Sequence, residues 1–486
     1  MNKMKKLFFT LFASCVISFG GFAQKKTNVI VILCDDMGYA DLSCYGAKNY
    51  KTPTLDSLAK HGIRFTNYYA PQGVCTASRA GLLTGCYPNR IGIEGAFLDK
   101  DTIGLNKNEV TIAQMVKAKG YKTAIFGKWH LGHLEKFLPL QHGFDEFVGI
   151  PYSNDIWPVN FDGKPMTDPK SNITRFAPLF LMEGNKKIKP IATLQDQDQL
   201  TTTFTEKAVD FINRNHDNPF FIYLAHPMPH APLGVSDKFR GKSGQGLYAD
   251  VVMEIDWSVQ QVIKALKKNK INDNTLIIFT SDNGPWLNFG NHAGSTGGLR
   301  EGKGTSWDGG QKEPCIVSWP KKVPKNIISD KMISGIDILP TIAAITGAEL
   351  PKNKIDGVNM LPLFENKKGA DPRHVFLHYY STRQLQAVQK DHWKLVFPHT
   401  YRSYEDVALG KDGFPGPYNY KKVTKMELYN LKDDPFERKD VYDQNPEIVK
   451  ELQKIADEAR EDIGDNLTKG KEKGKGYRPP GTLSKN

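Results

Sequence analysis

Cysteine is scarce in this chain, and long apolar runs are confined to its first two dozen residues. The 486 residues include six cysteines, at positions 15, 34, 44, 75, 86 and 315. So few cysteines in so long a chain do not make a disulfide framework, and no pairing among Cys34, Cys44, Cys86 and Cys315 follows from their spacing. After the N-terminal segment no apolar run is long enough to span a bilayer, so we expect no integral membrane segment.

The chain also lacks the features of a nucleic-acid-binding protein. No basic run alternates with aromatic residues and no nucleic-acid-binding motif is recognisable, so we expect no nucleic acid partner. The chain does have an excess of positive charge, +12 with a pI near 9.1, which suits anionic ligands. Its length, with 40% hydrophobic and 24% charged residues, predicts two or three domains with a sizeable core.

The first 23 residues have the composition of a secretory signal peptide. Lysines at positions 3, 5 and 6 precede an apolar stretch over residues 7–19, and residues 21–23 provide a small-x-small cleavage site. Residues 12–15 also resemble a lipoprotein cleavage site, with Phe12 where leucine is usual. Cleavage there would use a still shorter apolar stretch, so we favour release after Ala23 over lipid anchoring at Cys15. The protein is therefore predicted to be exported, to the periplasm or the extracellular space.

Acidic side chains follow two of the predicted buried strands. Residues 28–34 form a continuous apolar run that ends at Asp35 and Asp36, and residues 275–280 form another that precedes Asp282 and Asn283. Open α/β sheets bind ligands at the carboxyl ends of their strands. Adjacent carboxylates are costly there unless a cation binds them, and an all-oxygen set suits Ca²⁺ or Mg²⁺ rather than Zn²⁺. A capped, solvated turn explains the first pair equally well when that pair is considered alone.

A further group of residues surrounds Cys75. Residues 75–79 read Cys-Thr-Ala-Ser-Arg, residues 82–85 read Leu-Leu-Thr-Gly, and a helix is predicted over residues 78–84. A helix N-terminus directs backbone N–H groups and a positive dipole end at an anion, and Arg79 adds a permanent cation. The alternative is an ordinary buried cysteine before a surface arginine. Together with the blocks below, this segment resembles the signature of type I sulfatases, in which a maturation enzyme oxidises the cysteine to formylglycine.

Two lysine-bearing blocks carry the same resemblance. Residues 127–132 read Gly-Lys-Trp-His-Leu-Gly, and Lys128 and His130, two residues apart, would point the same way on an extended segment. A glycine-rich block over residues 298–310 contains Lys303, and its backbone can approach a ligand closely. Both blocks are similar to sulfatase motifs.

Two other blocks are similar to sulfatases and offer histidine and serine side chains. His226 and His230 lie among prolines that follow a predicted strand. Ser153 lies in residues 149–155, a block that looks like that of the arylsulfatase A branch. A solvated or turn-forming residue is the alternative for Ser153 and for His226.

The resemblance implies a role for each of these residues. The implied metal ligands are Asp35, Asp36, Cys75, Asp282 and Asn283, with one Ca²⁺ as the expected ion and Mg²⁺ as the alternative. The implied catalytic residues are Cys75, Arg79, Lys128, His130, His230 and Lys303, and the implied substrate-binding residues are Ser153 and His226. In the family, hydrated formylglycine attacks sulfur, and the residues matching His230 and Lys303 protonate the leaving oxygen. The residue matching His130 then removes the proton of the remaining free hydroxyl, and this deprotonation releases sulfate.

The resemblance also implies the fold. We expect an α/β protein with the alkaline-phosphatase-like sandwich, in which helices flank a large central mixed sheet. A smaller C-terminal antiparallel sheet packed with a helix would follow. The predicted domains are a catalytic domain over residues 24–370 and a small α+β subdomain with a basic tail over residues 371–486. Residues 157–200 are expected to be loops, and residues 469–486 to be extended or disordered.

The function implied is hydrolysis of sulfate monoesters by an enzyme similar to arylsulfatase A and N-acetylgalactosamine sulfatases. Sulfated carbohydrates, such as glycosaminoglycan, mucin or algal glycan fragments, are the expected substrates. One alternative is a phosphodiesterase or phosphonate monoester hydrolase of the same superfamily. Another is a non-catalytic sulfoglycan-binding protein, if Cys75 is never oxidised. The sulfated position, exo or endo action and the oligomeric state do not follow from the sequence.

Overall fold

A computed structural model describes residues 25–483, so the predicted signal peptide and Cys15 lie outside the described residues. Within that range eleven strands form one large sheet. They are β1 (Asn28–Cys34), β2 (Ile63–Tyr69), β3 (Lys122–Lys128), β4 (Glu146–Ile150), β5 (Leu179–Glu183), β6 (Lys186–Ile191), β7 (Phe220–Ala225), β8 (Thr275–Ser281), β9 (Lys312–Ser318), β10 (Ile327–Ser329) and β11 (Ile333–Ser334).

Most helices of the same range flank this sheet or cover its ends, and the last of them packs on a smaller sheet described below. They are α1 (Pro53–Lys60), α2 (Cys75–Thr84), α3 (Ile112–Lys117), α4 (Leu194–Asp198), α5 (Leu200–Asn215), α6 (Leu247–Lys268), α7 (Asp308–Gln311), α8 (Ile338–Thr346), α9 (Leu361–Phe364) and α10 (Pro446–Asp462). Of the helices in residues 25–483, none is both long and apolar enough to cross a membrane.

The large sheet is mixed, with a parallel centre. Its order is β10-β2-β9-β8-β1-β7-β3-β4-β5-β6, and β11 also pairs with β2. Strand β1 is parallel to both β7 and β8, and β3 is parallel to β7 and β4. Strands β9, β5 and β6 join their neighbours in antiparallel fashion. The carboxyl ends of the five central strands therefore open on one edge of the sheet.

The central strand β1 shows why the sheet is covered on both faces. Successive side chains of a strand point to opposite faces. The odd-numbered residues from Val29 to Leu33 pack in a core that includes α2, α3 and α8. The even-numbered residues from Ile30 to Cys34 pack in a second core that includes α1, α5 and α6. An apolar residue is thus required at every position, which accounts for the unbroken hydrophobic run.

A second, smaller sheet follows the large one along the chain. Its strands are β12 (Val375–Tyr380), β13 (Gln384–Lys390), β14 (Trp393–Val396) and β17 (Glu427–Asn430), all antiparallel, and α10 packs on them. A separate hairpin joins β15 (Thr400–Ser403) to β16 (Asn419–Val423). The predicted architecture, a large mixed sheet between helices and a small antiparallel sheet with a helix, is confirmed.

The prediction that residues 157–200 are loops is wrong in part. The segment contains the hairpin β5–β6 and helix α4. In β6 the side chains of residues 186–190 are exposed, so an edge strand without apolar alternation leaves little signal in the sequence. The hairpin extends the sheet beyond β4 through backbone hydrogen bonds.

The C-terminal tail is extended, as predicted, but it is not disordered over its described part. The backbone N–H of Arg478 donates to the Arg90 carbonyl at 2.6 Å, and the Arg478 guanidinium binds Glu109. Gly104 and Gly481 form an isolated β-bridge. Ion pairs and backbone hydrogen bonds, rather than an apolar stripe, attach the tail to the large domain, which is why apolar periodicity did not reveal it.

Candidate functional site

The carboxyl ends of β1 and β8 bring four oxygen-bearing side chains together. Asp35 and Asp36 follow β1, Asp282 and Asn283 follow β8, and all four are buried. The Asn283 Nδ2 donates a hydrogen bond to the Asp36 Oδ1 at 2.7 Å. The Asp36 backbone N–H donates to the Asp282 Oδ1 at 3.3 Å, from a left-handed backbone conformation with φ 62°. The two predicted acidic pairs therefore form one cluster.

Helix α2 places Cys75 against this cluster. The helix begins at Cys75 rather than at the predicted Ser78, because the Ser78 N–H donates to the Val74 carbonyl and closes a first turn that contains Cys75. The Cys75 side chain is buried, with 2% of its surface exposed. Its Sγ and carboxylate oxygens of Asp35 and Asp282 all lie within 4.8 Å of one another.

Arg79 and Lys303 each neutralise a carboxylate of the cluster. Arg79 lies one turn along α2 from Cys75, and its Nη2 is 2.7 Å from the Asp282 Oδ2. The Lys303 Nζ, from the glycine-rich block, is 2.8 Å from the Asp36 Oδ1. Both cations are buried, so they have a fixed position and little screening by water.

Lys128 and His130 are both in the site, but they do not share an extended segment as predicted. Lys128 ends β3, and its Nζ donates to the Asp35 carboxylate and, at 2.9 Å, to the Ser153 Oγ. His130 has φ 60°, so the strand alternation has already ended there. Its Nε2 lies 2.8 Å from the Phe97 carbonyl oxygen. Its Nδ1 is buried and has no hydrogen-bond partner among residues 25–483.

The two histidines of the proline-rich segment have different surroundings. The Nε2 of His230 lies 3.5 Å from the Asp36 Oδ2, and its Nδ1 lies 2.5 Å from the Ala231 carbonyl oxygen. The Nε2 of His226 instead lies 3.0 Å from the Ser258 Oγ on α6. Burial lowers the pKa of His226 to about 3, so this ring is neutral. The structure thus brings His230 to the acidic cluster and gives His226 a polar contact within the protein core.

Burial and mutual repulsion perturb the carboxylates strongly. Burial and the charge of Asp35 raise the pKa of Asp282 to about 7, against the opposing effect of Arg79. Burial would also raise the pKa of Asp35, but neighbouring positive charges, Lys128 first among them, outweigh it and hold that pKa well below its usual range. A bound cation would relieve the repulsion between these carboxylates.

The sequence of the chain matches known protein families over most of its length. A family model described as "Sulfatase" matches residues 27–348. The chain belongs to the sulfatase family. Two further models match toward the C-terminus and overlap each other, one described as "N-sulphoglucosamine sulphohydrolase, C-terminal" at residues 303–414 and one as "C-terminal region of aryl-sulfatase" at residues 372–477.

Individual relatives place this sulfatase near two named branches. It is 35% identical to arylsulfatase A from Bos taurus over 452 residues, which cover 88% of this chain and 86% of the relative. It is 34% identical to N-acetylgalactosamine-6-sulfatase from Canis lupus familiaris over 453 residues, 89% of this chain and 85% of the relative. Among solved structures, the PsFucS1 sulfatase from Pseudoalteromonas sp. superposes with a TM-score of 0.79 at 28% identity, covering 89% of this chain and 90% of that one. The fold class and the prediction of a sulfuric ester hydrolase are confirmed.

The acidic cluster of this sulfatase fits a hard divalent cation. Asp35 Oδ1 and Asn283 Oδ1 are buried and lack a hydrogen-bond partner among the described residues. Unpaired buried oxygens are costly, and oxygen is the donor that Ca²⁺ and Mg²⁺ prefer. The Asn283 amide can contact Asp36 and a cation at the same time, because its Nδ2 donates a hydrogen bond to Asp36 while its Oδ1 is available to the cation.

Sequence reasoning missed several residues that shape the site. Trp286 packs against His230 with ring centroids 5.1 Å apart, and its ring lies 4.5 Å from the Lys303 Nζ. Because Trp286 follows Asn283 closely in the chain, its presence near the site could have been predicted. Tyr418, whose hydroxyl accepts a hydrogen bond from the Trp286 Nε1, lies 132 residues further along and gave no such signal.

We expect added Ca²⁺ to raise the melting temperature of the protein after treatment with EGTA. An ion that binds the folded cluster and not the unfolded chain stabilises the fold by about 2.7 kcal/mol at a hundredfold excess over its Kd. Asp282→Asn removes one carboxylate, so its response to Ca²⁺ should be much smaller. Thermal unfolding measured across a Ca²⁺ titration tests this expectation.

The matched control is Asp273→Asn, which alters an exposed aspartate just before the opposite end of β8. Its response to Ca²⁺ should equal that of the wild-type protein. Equal responses in the wild type and Asp282→Asn would contradict the assignment. Stoichiometric Zn²⁺ without Ca²⁺ or Mg²⁺ in elemental analysis would do the same.

Proposed function

We propose that this sulfatase hydrolyses sulfate monoesters of carbohydrates, with a formylglycine derived from Cys75 as nucleophile and a bound Ca²⁺. The observation that carries the proposal is the position of Cys75. Its Sγ lies within 4.8 Å of ligand atoms of Asp35 and Asp282, at the start of a buried helix. The nucleophile derived from Cys75 would thus lie directly beside the carboxylates that bind the cation.

The unmodified thiol is poorly suited to this reaction. Burial raises the pKa of Cys75, although Lys128 and Lys303 oppose that rise, so the thiol stays protonated near neutral pH. Oxidised by a formylglycine-generating enzyme, Cys75 would supply a hydrated aldehyde whose hydroxyl can attack sulfur. Bound at Asp35, Asp36, Asp282 and Asn283, Ca²⁺ would supply a Lewis acid for the sulfate oxygens.

Three fixed cations would bind and orient the sulfate group, namely Arg79, Lys128 and Lys303. The desolvation of Lys303 would lower its pKa, but the nearby charge of Asp36 outweighs this effect and raises the pKa well above its usual value. It therefore stays charged. Cations held in a buried site need no reorganisation as charge develops in the transition state. Such electrostatic preorganisation makes the largest contribution to the rate enhancement of many enzymes. Ser153, which binds Lys128, is proposed as a further substrate contact.

His130 is proposed as the proton acceptor. The Phe97 carbonyl fixes the proton of the ring on Nε2, which leaves the unpartnered Nδ1 as a base. Burial, with Lys128 as the next cause, lowers the pKa of His130 well below its usual value, so the ring is neutral and able to accept a proton. The role assigned to His130 needs this protonation state.

His230 is proposed as the proton donor to the leaving oxygen, with Lys303 beside it. The Ala231 carbonyl accepts the proton of the Nδ1, so the Nε2 faces the reacting centre near Asp36 and can donate a proton only when the ring is an imidazolium. Burial, with Lys303 as the next cause, lowers the pKa of His230, and the nearby carboxylates, Asp36 first among them, oppose this and favour the imidazolium. His226 is proposed as a weaker substrate contact, because it lies four residues earlier in the same segment.

We also propose that the protein is exported and that its two domains divide between residues 370 and 371.

The substrate class is proposed from the relatives and from charge. One relative is named for a 6-sulfated amino sugar, and the chain carries a net charge of +12 that favours polyanions. The test is an assay of nitrophenyl sulfate, phosphate and phosphonate esters, with a panel of sulfated mono- and disaccharides, on protein produced together with a formylglycine-generating enzyme. We expect sulfate esters to be hydrolysed fastest and at least one sulfated sugar to be cleaved. Faster turnover of phosphate or phosphonate esters would overturn the proposal.

A further inference from the structure

We propose that three aromatic side chains, Trp286, Tyr418 and Tyr420, form the sugar-binding wall of this enzyme and make its substrate an oligosaccharide. This inference rests on the carbohydrate substrate proposed above. The three rings form a continuous path. The Trp286 indole donates a hydrogen bond to the Tyr418 hydroxyl, and the rings of Tyr418 and Tyr420 are 5.6 Å apart.

The inner end of this path marks the side of the site from which the leaving group departs. Trp286 touches both of the groups proposed to protonate the leaving oxygen, with the His230 ring 5.1 Å from its own and the Lys303 Nζ 4.5 Å from its centre. In a sulfate monoester of a sugar, that oxygen belongs to the sugar. The sulfated ring must therefore pass beside Trp286 as it enters and leaves.

The middle of the path is held in place by two residues on and just after β15. The Arg402 guanidinium lies 4.9 Å from the centre of the Tyr418 ring, and the Tyr404 ring lies 5.6 Å away. Arg402 and the Tyr404 hydroxyl also donate hydrogen bonds to the Lys303 carbonyl, at 2.9 and 2.6 Å. One set of contacts thus fixes both the aromatic wall and the backbone that carries the sulfate-binding lysine. Rigid aromatic side chains bind ligands at a low cost in conformational entropy.

The outer end of the path is exposed. Tyr420 is 68% exposed, the highest value among the exposed large hydrophobic side chains of residues 25–483. It lies on β16. An exposed ring that continues an aromatic path from the reaction centre offers a surface for a second sugar.

The arrangement assigns two consecutive subsites. The sulfated sugar lies against Trp286 and Tyr418, and the next sugar of the chain lies against Tyr420. A nitrophenyl ring or a monosaccharide would reach only the first subsite. Tyr420 therefore determines chain-length preference and takes no part in the chemical step.

The test compares Tyr420→Ala with the wild type on nitrophenyl sulfate and on size-fractionated sulfated oligosaccharides, from mono- to hexasaccharide. We expect KM for a sulfated disaccharide or longer chain to rise roughly threefold to tenfold, the effect of losing one aromatic contact. The kcat on every substrate, and KM for nitrophenyl sulfate, should be unchanged. Tyr420→Phe keeps the ring and should restore the wild-type KM.

Ile328→Ala provides a matched control, because Ile328 is 64% exposed on β10, an edge strand of the large sheet to which Tyr420 does not belong. It should leave all constants unchanged. If Tyr420→Ala and the wild type have the same KM on oligosaccharides that are hydrolysed, the second subsite is wrong while the carbohydrate sulfatase stands. If nitrophenyl sulfate is hydrolysed and no sulfated sugar is, the proposed substrate class is wrong, and this inference with it.

Discussion

Cys75→Ala is expected to abolish sulfate ester hydrolysis and to leave the fold intact. Removal of the nucleophile from a hydrolase costs on the order of 10⁴- to 10⁶-fold in kcat. The fold should persist because Cys75 contributes only a small side chain to a minor cluster with Val74, Ala77 and Tyr380. The kcat on nitrophenyl sulfate and the thermal unfolding curve would be measured on the same preparation.

The control for this variant is Cys315→Ala, a second buried cysteine that lies in the apolar core on β9. It should keep full activity apart from a small loss of stability. Intact-mass analysis should show a lower mass at Cys75 in the active wild type, in agreement with an aldehyde. Near-normal activity of Cys75→Ala would end the proposed mechanism, and a wild-type protein that is active with an unmodified thiol would exclude formylglycine.

His230→Ala is expected to lose far more activity on a sulfated sugar than on nitrophenyl sulfate. A sugar alkoxide needs a proton as the S–O bond breaks, because the pKa of its conjugate acid is far above neutral, whereas nitrophenolate leaves as a stable anion. General acid catalysis contributes about 10²- to 10⁴-fold. The difference between the two substrates should therefore fall in that range, measured as kcat/KM for each ester.

His130→Ala serves as the comparison, because the step proposed for His130 takes place after the leaving group has departed. It should slow the turnover of both esters to the same extent. Equal losses for His230→Ala on the two esters would show that it is not the general acid. Lys303, whose Nζ shares the Asp36 carboxylate with His230, would then become the first candidate.

The centre of the site could be predicted because its residues follow from strand geometry. The apolar runs of β1 and β8 are unbroken, since both faces are covered, and parallel neighbours end on the same edge. Asp35 and Asp282 therefore had to approach each other. The motif around Cys75 added the helix that carries Arg79, and only the start of that helix was misplaced.

The outer part of the site could not be predicted, because it depends on packing between distant segments. Tyr418 lies between β15 and β16 and reaches Trp286, 132 residues earlier, only because this segment packs beside the residues that follow β8. The tail near Arg478 was missed for the same reason, whereas β6, which pairs with the adjacent β5, was missed because its exposed side chains show no apolar alternation. The partners of Tyr418 and of the tail lie far away along the chain, and hydrophobic periodicity records only local burial.

The burial of Cys75 limits when the oxidation proposed for its thiol can take place. The segments that cover this residue come later in the chain: the Gly304 N–H donates to the Gly73 carbonyl, and Tyr380 packs on the start of α2. An enzyme that oxidises the thiol must reach it before those segments dock. Synthesis at about 5–20 residues per second places Tyr380 roughly 15–60 seconds behind Cys75. Slower translation over this stretch should therefore raise the fraction of molecules that leave the ribosome in the active form.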